Sequence, residues 1–208
     1  MLRVGGVLLA LSLTGPALAQ TQTQAPPRSP RPASPTSPAD RAAGAAAERK
    51  AILDRWLQAL RDATTEQDAT PLEARVRQLW LNAGTPAVTL LLGRGLRVLK
   101  AGDPDSAMRD FQAALDLDTD SLEAWHQMAQ ARFTAGDLAG AVAAIGETLR
   151  REPRHFAAFQ TLSRFAEARE DWRGAYEAWS KAMEIAPKLS GGETKLKDLK
   201  RRALGDDT

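Results

Sequence analysis

The chain has 208 residues, enough for one domain with extensions at its ends. Lys and Arg number 28 against 26 Asp and Glu, and a net charge of +2 is too small to call for a nucleic acid or other polyanion as partner. The absence of cysteine excludes disulfides, thiol nucleophiles and thiolate-bound metals.

Residues 1–19 read as an export signal. Arg3 supplies the positive start, Val7, Leu9, Leu11 and Leu13 lie in a short apolar stretch, and Pro16 ends it. Ala17-Leu18-Ala19 then gives the small-x-small pattern of a cleavage site before Gln20. The apolar run is shorter than the roughly 20 residues that a membrane-spanning helix needs. No cysteine follows it to carry a lipid anchor. The expected mature chain begins at Gln20 and is periplasmic or secreted. Arg is used far more often than Lys, and Asn82 is the only asparagine, a bias that fits a GC-rich bacterial genome.

Residues 20–42 are expected to form a disordered linker. Pro26, Pro27, Pro30, Pro32, Pro35 and Pro38 alternate with Ser, Thr and Gln, leaving little apolar surface to bury and favouring extended polyproline II. A helical pair is predicted over 43–87. Ile52, Leu53, Trp56, Leu57 and Leu60 recur at helical spacing, and Pro71 can open a second helix striped by Leu72, Val76, Leu79 and Trp80. This pair is expected to pack on the segment that follows as an N-terminal cap, with both tryptophans in its core.

Self-similarity at a period of 34 residues governs 88–189. Asp103, Asp137 and Asp171 keep that interval, as do Ala107, Ala141 and Ala175, and Phe111, Ile145 and Trp179. Ahead of them Leu91, Trp125 and Phe159, and Gly95, Ala129 and Ser163, repeat in the same register. Three units follow: 88–121, 122–155 and 156–189. Gly102 and Gly136 suit the left-handed end of a first helix, the aspartates suit the N-cap of a second, and Pro153 and Pro187 stop it. Residues 190–208 offer a short C-terminal helix with Leu196, Leu199 and Leu204 on one side. Lys195, Lys197, Lys200, Arg201 and Arg202 fall on the other, fitting a solvated cap or, less well, an anionic membrane surface.

The repeat resembles the tetratricopeptide repeat family. The Trp-x-x-Met-Ala start at Trp125, the mid-repeat alanine, the large apolar residue after it and the closing proline all stand at that family's spacing. The resemblance implies an all-α, right-handed solenoid of helix-turn-helix repeats with helical caps at both ends. Arg94 and Arg132 at usually apolar positions, Glu170 for the turn glycine and Thr119 for proline depart from the pattern and predict looser packing in the first repeat.

In such arrays the first helices line a concave groove. Carried over to this chain, the groove takes Leu92, Leu96, Leu99 and Lys100 from the first repeat. Glu123, His126, Gln127, Gln130 and Phe133 come from the second; Ala157, Gln160, Arg164 and Glu167 come from the third. That surface, apolar at one end and mixed polar at the other, suits a protein or peptide partner, with Leu96 and Phe133 as anchors. The Lys/Asn clamp that some relatives use for terminal carboxylates is missing, since only Lys100 and Arg164 could contribute. No cofactor is implied. The only histidines are His126 and His155, and no HExxH, GxSxG, phosphate-loop or dinucleotide signature occurs. A non-catalytic scaffold or adaptor in a bacterial envelope complex is the expected function, with an accessory, membrane-associated subunit as the alternative and an enzyme with an unrecognised site as a remoter second.

Overall fold

The structure, a computed structural model, describes residues 37–205. The expected export signal and most of the Pro-rich linker lie outside these residues. Among the described residues there are nine helices and no strand. They are α1 (Pro38–Asp62), α2 (Glu66–Leu81), α3 (Pro86–Lys100), α4 (Pro104–Leu117), α5 (Leu122–Thr134), α6 (Leu138–Arg151), α7 (Phe156–Glu167), α8 (Trp172–Ile185) and α9 (Gly192–Leu204). The pairs α3/α4, α5/α6 and α7/α8 are the three repeats, stacked as a right-handed solenoid.

Each hairpin follows from its local chemistry. Gly102 and Gly136, at φ 89° and 85°, turn the chain through the left-handed region. The Asp103, Asp137 and Asp171 carboxylates then accept from the Ser106, Gly140 and Gly174 amides at 2.9, 2.8 and 2.9 Å, capping α4, α6 and α8. Glu170 occupies the third turn at φ 59°, a conformation that costs an L-residue about 1–2 kcal/mol. Glu152 and Ala186, which precede Pro153 and Pro187, are both extended at φ −135° and end their helices there.

One core runs through the repeats. Phe111, Ile145, Val88, Leu92 and the small residues Ala107, Ala129 and Ala141 are buried in it. A large side chain of this kind, fully buried, contributes about 1.5–3 kcal/mol. The predicted looseness of the first repeat is not found. Arg94 reaches Asp110 on α4 through two hydrogen bonds, the Nε bond at 2.8 Å, so the charge at a usually apolar position is neutralised at the helix interface. Thr119 stands in for proline, and its carbonyl accepts from Trp125 Nε1 at 3.0 Å and from Arg151 at 2.8 Å.

The N-terminal pair differs from expectation in three ways. Helix α1 starts at Pro38, inside the segment expected to be linker. Helix α2 starts at Glu66, capped by Thr65, and carries Pro71 in its interior; Thr65 already supplies the helix start that Pro71 was expected to provide. The third difference is its packing partner. A second core joins Leu57, Leu60, Val76 and Trp80 to Phe156, Ala157, Ala182, Ala186 and Leu189, so the pair seats mainly on the third repeat, while Leu81 at the end of α2 packs against the core that begins in the first. The α2 end of this junction is tied to the loop before α9: Glu73 accepts from the Ser190 amide at 3.0 Å and Glu66 from the Gly191 amide at 3.1 Å. At the far end, α9 packs on α8 through the buried Leu199, while Leu204, expected on the same stripe, is exposed.

Candidate binding groove

The first helices α3, α5 and α7 lie side by side and form the floor of an open cleft of about 1010 Å³. Of the carried-over positions, Leu96, Glu123, His126, Gln127, Gln130, Phe133, Ala157, Gln160, Arg164 and Glu167 line it. Leu92 does not, because its side chain is buried in the repeat core, and neither Leu99 nor Lys100 reaches the cleft. Phe133 stacks on Phe165 at 4.4 Å between ring centres, so half of this anchor belongs to the core.

One wall comes from outside the repeats. Helix α2 contributes Arg77, Gln78, Trp80 and Leu81, which repeat periodicity had no means of placing there. At the α8–α9 end stand Trp172, Trp179 and Lys195. Lys195 is paired with Glu167, and the Arg202 guanidinium lies 4.7 Å from the Trp172 ring. Arg201 and Arg202 bond to Asp198 at 2.7 and 3.0 Å. Lys195, Arg201 and Arg202, of the cations set out in the sequence as a solvated cap or, less well, a membrane face, are therefore engaged within the protein.

Four of the cleft's polar side chains form one connected series. Arg164 donates to Gln130 Oε1 at 3.0 Å, Gln130 donates to Gln127 Oε1 at 2.8 Å, and Gln127 donates to Glu123 Oε1. The Glu123 carboxylate is buried between the two histidines, with His126 Nδ1 and His155 Nε2 each 3.5 Å from one of its oxygens. Arg77 donates to Gln160 Oε1 at 2.6 Å. His126 Nε2 meets Thr161 Oγ1 at 3.0 Å, and the fully buried His155 ring is sandwiched against Trp80 with centroids 3.8 Å apart.

Burial alone would raise the Glu123 carboxyl, but the two imidazoles that face it at 3.5 Å, His126 foremost, hold it below the usual carboxylate range. For His155, burial is the larger cause. It pushes the imidazole down to about 4, a charged His126 adds to the fall, and Glu123 offsets part of it.

Glu123, His126 and His155 bring three donor atoms within 4.8 Å of one another, the residue types of a His₂Glu metal centre. The hydrogen bonding does not fit one. His155 Nδ1 accepts from the Ala158 amide at 3.0 Å as the N-cap of α7, so the neutral ring carries its proton on Nε2. Nε2 therefore points an N–H, not a lone pair, toward Glu123. Binding a metal there would move the proton to Nδ1, against the Ala158 N–H, and open the helix cap.

Residues 98–165 match the family model for the tetratricopeptide repeat. No curated protein matches the chain. Among solved structures, the Sgt2 TPR domain from Aspergillus fumigatus is 20% identical with a TM-score of 0.52, over 57% of this chain and 80% of that one. MamA is 20% identical with a TM-score of 0.51, over 77% and 86%. The first TPR of Spaghetti (RPAP3), bound to the HSP90 peptide SRMEEVD, is 16% identical with a TM-score of 0.52, over 57% and 94%. These likenesses establish the fold.

Proposed function

We propose that this chain, whose residues 98–165 match the tetratricopeptide-repeat model and whose fold serves as a protein-interaction scaffold, is an adaptor whose cleft holds a segment of a partner protein carrying acidic and apolar side chains. One observation carries this reading. Arg77 and Arg164 enter the cleft on the neutral carbonyls of Gln160 and Gln130, and the carboxylate paired with Arg77, Glu73, stands 4.0 Å away. Two guanidiniums held by neutral acceptors keep donors available for an incoming carboxylate, beside an apolar stretch at Leu96 and Phe133. The peptide-bound Spaghetti (RPAP3) structure supports the same class of partner.

The setting we propose is a bacterial envelope. The export signal read from residues 1–19 supports it, and the mass of the mature N-terminus in the native host, expected to begin at Gln20, tests it. Arg201 and Arg202 satisfied by Asp198 favour the scaffold over membrane association through α9.

Photo-crosslinking from Gln130 and Arg164 in the native host, with exposed Arg150 on α6 as control, tests the cleft. One discrete protein captured from both cleft positions and not from Arg150, and lost in the Arg77→Glu variant, is the expected result. Equal, diffuse labelling from all three positions would overturn the reading.

A further inference from the structure

The chain's only two histidines meet at one buried carboxylate, where α2 closes over α5 and α7. We propose that this cluster is a proton-binding site that latches the α1–α2 hairpin: with His155 neutral the hairpin is seated along the cleft, and protonation of His155 releases it. The ligand is the proton, and the consequence is a cleft with or without its α2 wall. The site is the one read above as a binding cleft, but the latch stands or falls separately, because hairpin seating is measured without any partner.

The geometry carries the proposal in three steps. First, the seated hairpin takes His155 out of water. Trp80 of α2 covers one face of the ring at 3.8 Å, with the planes 15° apart, and also meets Phe156 at 5.2 Å. Second, the ring cannot accept a second proton without structural loss. Its Nε2 already carries one, so the next must go to Nδ1, which accepts from the Ala158 amide and caps α7. Protonation would remove that acceptor and place a positive charge at the positive end of a helix. Third, the charges around the ring do not fully compensate it. Helix α5 presents Glu123, which attracts a proton, and His126, which repels one when charged. Helix α2 presents Arg77, which also repels. In the α6–α7 loop Glu152 is bound by Arg154, whose other partner is Asp54 of α1 at 2.8 Å.

The hairpin has other ties to the repeats, so release is a shift in population. A ring that titrates at about 4 when covered and at the ordinary 6.5 when free shifts the seated-to-released ratio by up to about 25-fold between pH 7.5 and pH 5.

The test is hydrogen exchange on the whole chain at both pH values, corrected for intrinsic rates, comparing α2 amides with those of α3 to α6. A His155→Asn variant is run in parallel, because asparagine keeps an N-cap acceptor and cannot titrate. The expected result, with exchange repeated at low urea, is a loss of α2 protection at pH 5, up to about 25-fold, through an opening less sensitive to urea than that of α3 to α6, and with α2 in the variant insensitive to pH. Three results would overturn the latch. One is the same response in His155→Asn. Another is an α2 opening as sensitive to urea as that of α3 to α6, which would mean that α2 opens only when the whole array unfolds. The last is stoichiometric Zn²⁺ binding, lost in His126→Ala, that raises α2 protection at neutral pH; that would make the trio a metal centre.

Discussion

Two glycines of α3, two residues apart, should respond to the same substitution with opposite signs. A methyl group at Gly93 would meet only Arg97 Nη1, at 3.6 Å, an ordinary contact with the end of a flexible side chain. At Gly95 it would lie 2.5 Å from Phe111 Cε1 and 2.9 Å from Cζ. Phe111 is fully buried between α3 and α4 and has no empty space to turn into. Either replacement gains about 0.8–1 kcal/mol of helix propensity. Gly93→Ala keeps most of that gain. Gly95→Ala must also absorb an overpacking cost of about 1–3 kcal/mol, leaving it up to about 2 kcal/mol less stable than the parent. Urea unfolding followed by helical circular dichroism reads both, as shifts in midpoint at constant slope. Midpoints that rise together, or a Gly95→Ala variant as stable as Gly93→Ala, would refute the idea that close approach of Phe111 demands a glycine.

The remaining predictions use the same measurement. Glu170→Gly removes an L-residue from φ 59° on an exposed turn and should stabilise by about 0.5–1 kcal/mol, once the larger entropy of a glycine in the unfolded chain is subtracted. Ser163→Ala removes the 2.9 Å bond from its buried hydroxyl to the Ala175 carbonyl and should cost about 1 kcal/mol. Stability should fall on acidification. His155 binds its proton more weakly folded than unfolded, so its share is intact above pH 6.5 and is lost as the pH drops from 6.5 toward 4. The slope is at most about 1.4 kcal/mol per pH unit for one proton. Glu123, held below its usual range, adds a second loss only once the pH passes below 4.5. His155→Asn should flatten the first of these windows and leave the second.

The repeats were legible because each of their signals is local. An aspartate after a left-handed turn, a small residue opposite a large one and a proline after the last turn act within a few residues of each other. Their 34-residue spacing repeats them in register. The seat of α1 and α2 was not legible, for a reason that is equally physical. The stripe of Leu53, Leu57, Leu60, Val76 and Trp80 declares that a face must be buried, but apolar attraction has no direction and does not name the surface that buries it. The partners, Phe156, Ala157, Ala182 and Leu189, look in sequence like ordinary repeat positions. Within the cleft, Gln130, Gln160 and Arg164 could be placed by register, whereas Arg77 could not, because it arrives with the hairpin. The meeting of His126 with His155 was hidden in the same way. They are 29 positions apart, off the repeat period, and only the third helix pair brings them together. A hint lay in the chain's having just two histidines, both near the boundary of one repeat with the next.

A stack of helix pairs in which each touches only its neighbours can be assembled or undone from either end, one pair at a time. The hydrogen bonds that Glu66 and Glu73 accept from the Gly191 and Ser190 amides, across 125 and 117 residues of sequence, tie the first helix pair to the last loop instead. Contacts of this kind cannot form until nearly the whole chain has been laid down. Such distant contacts slow folding. Once made, they add to what holds the N-terminal hairpin in place, which must part from the loop before α9 before it can leave.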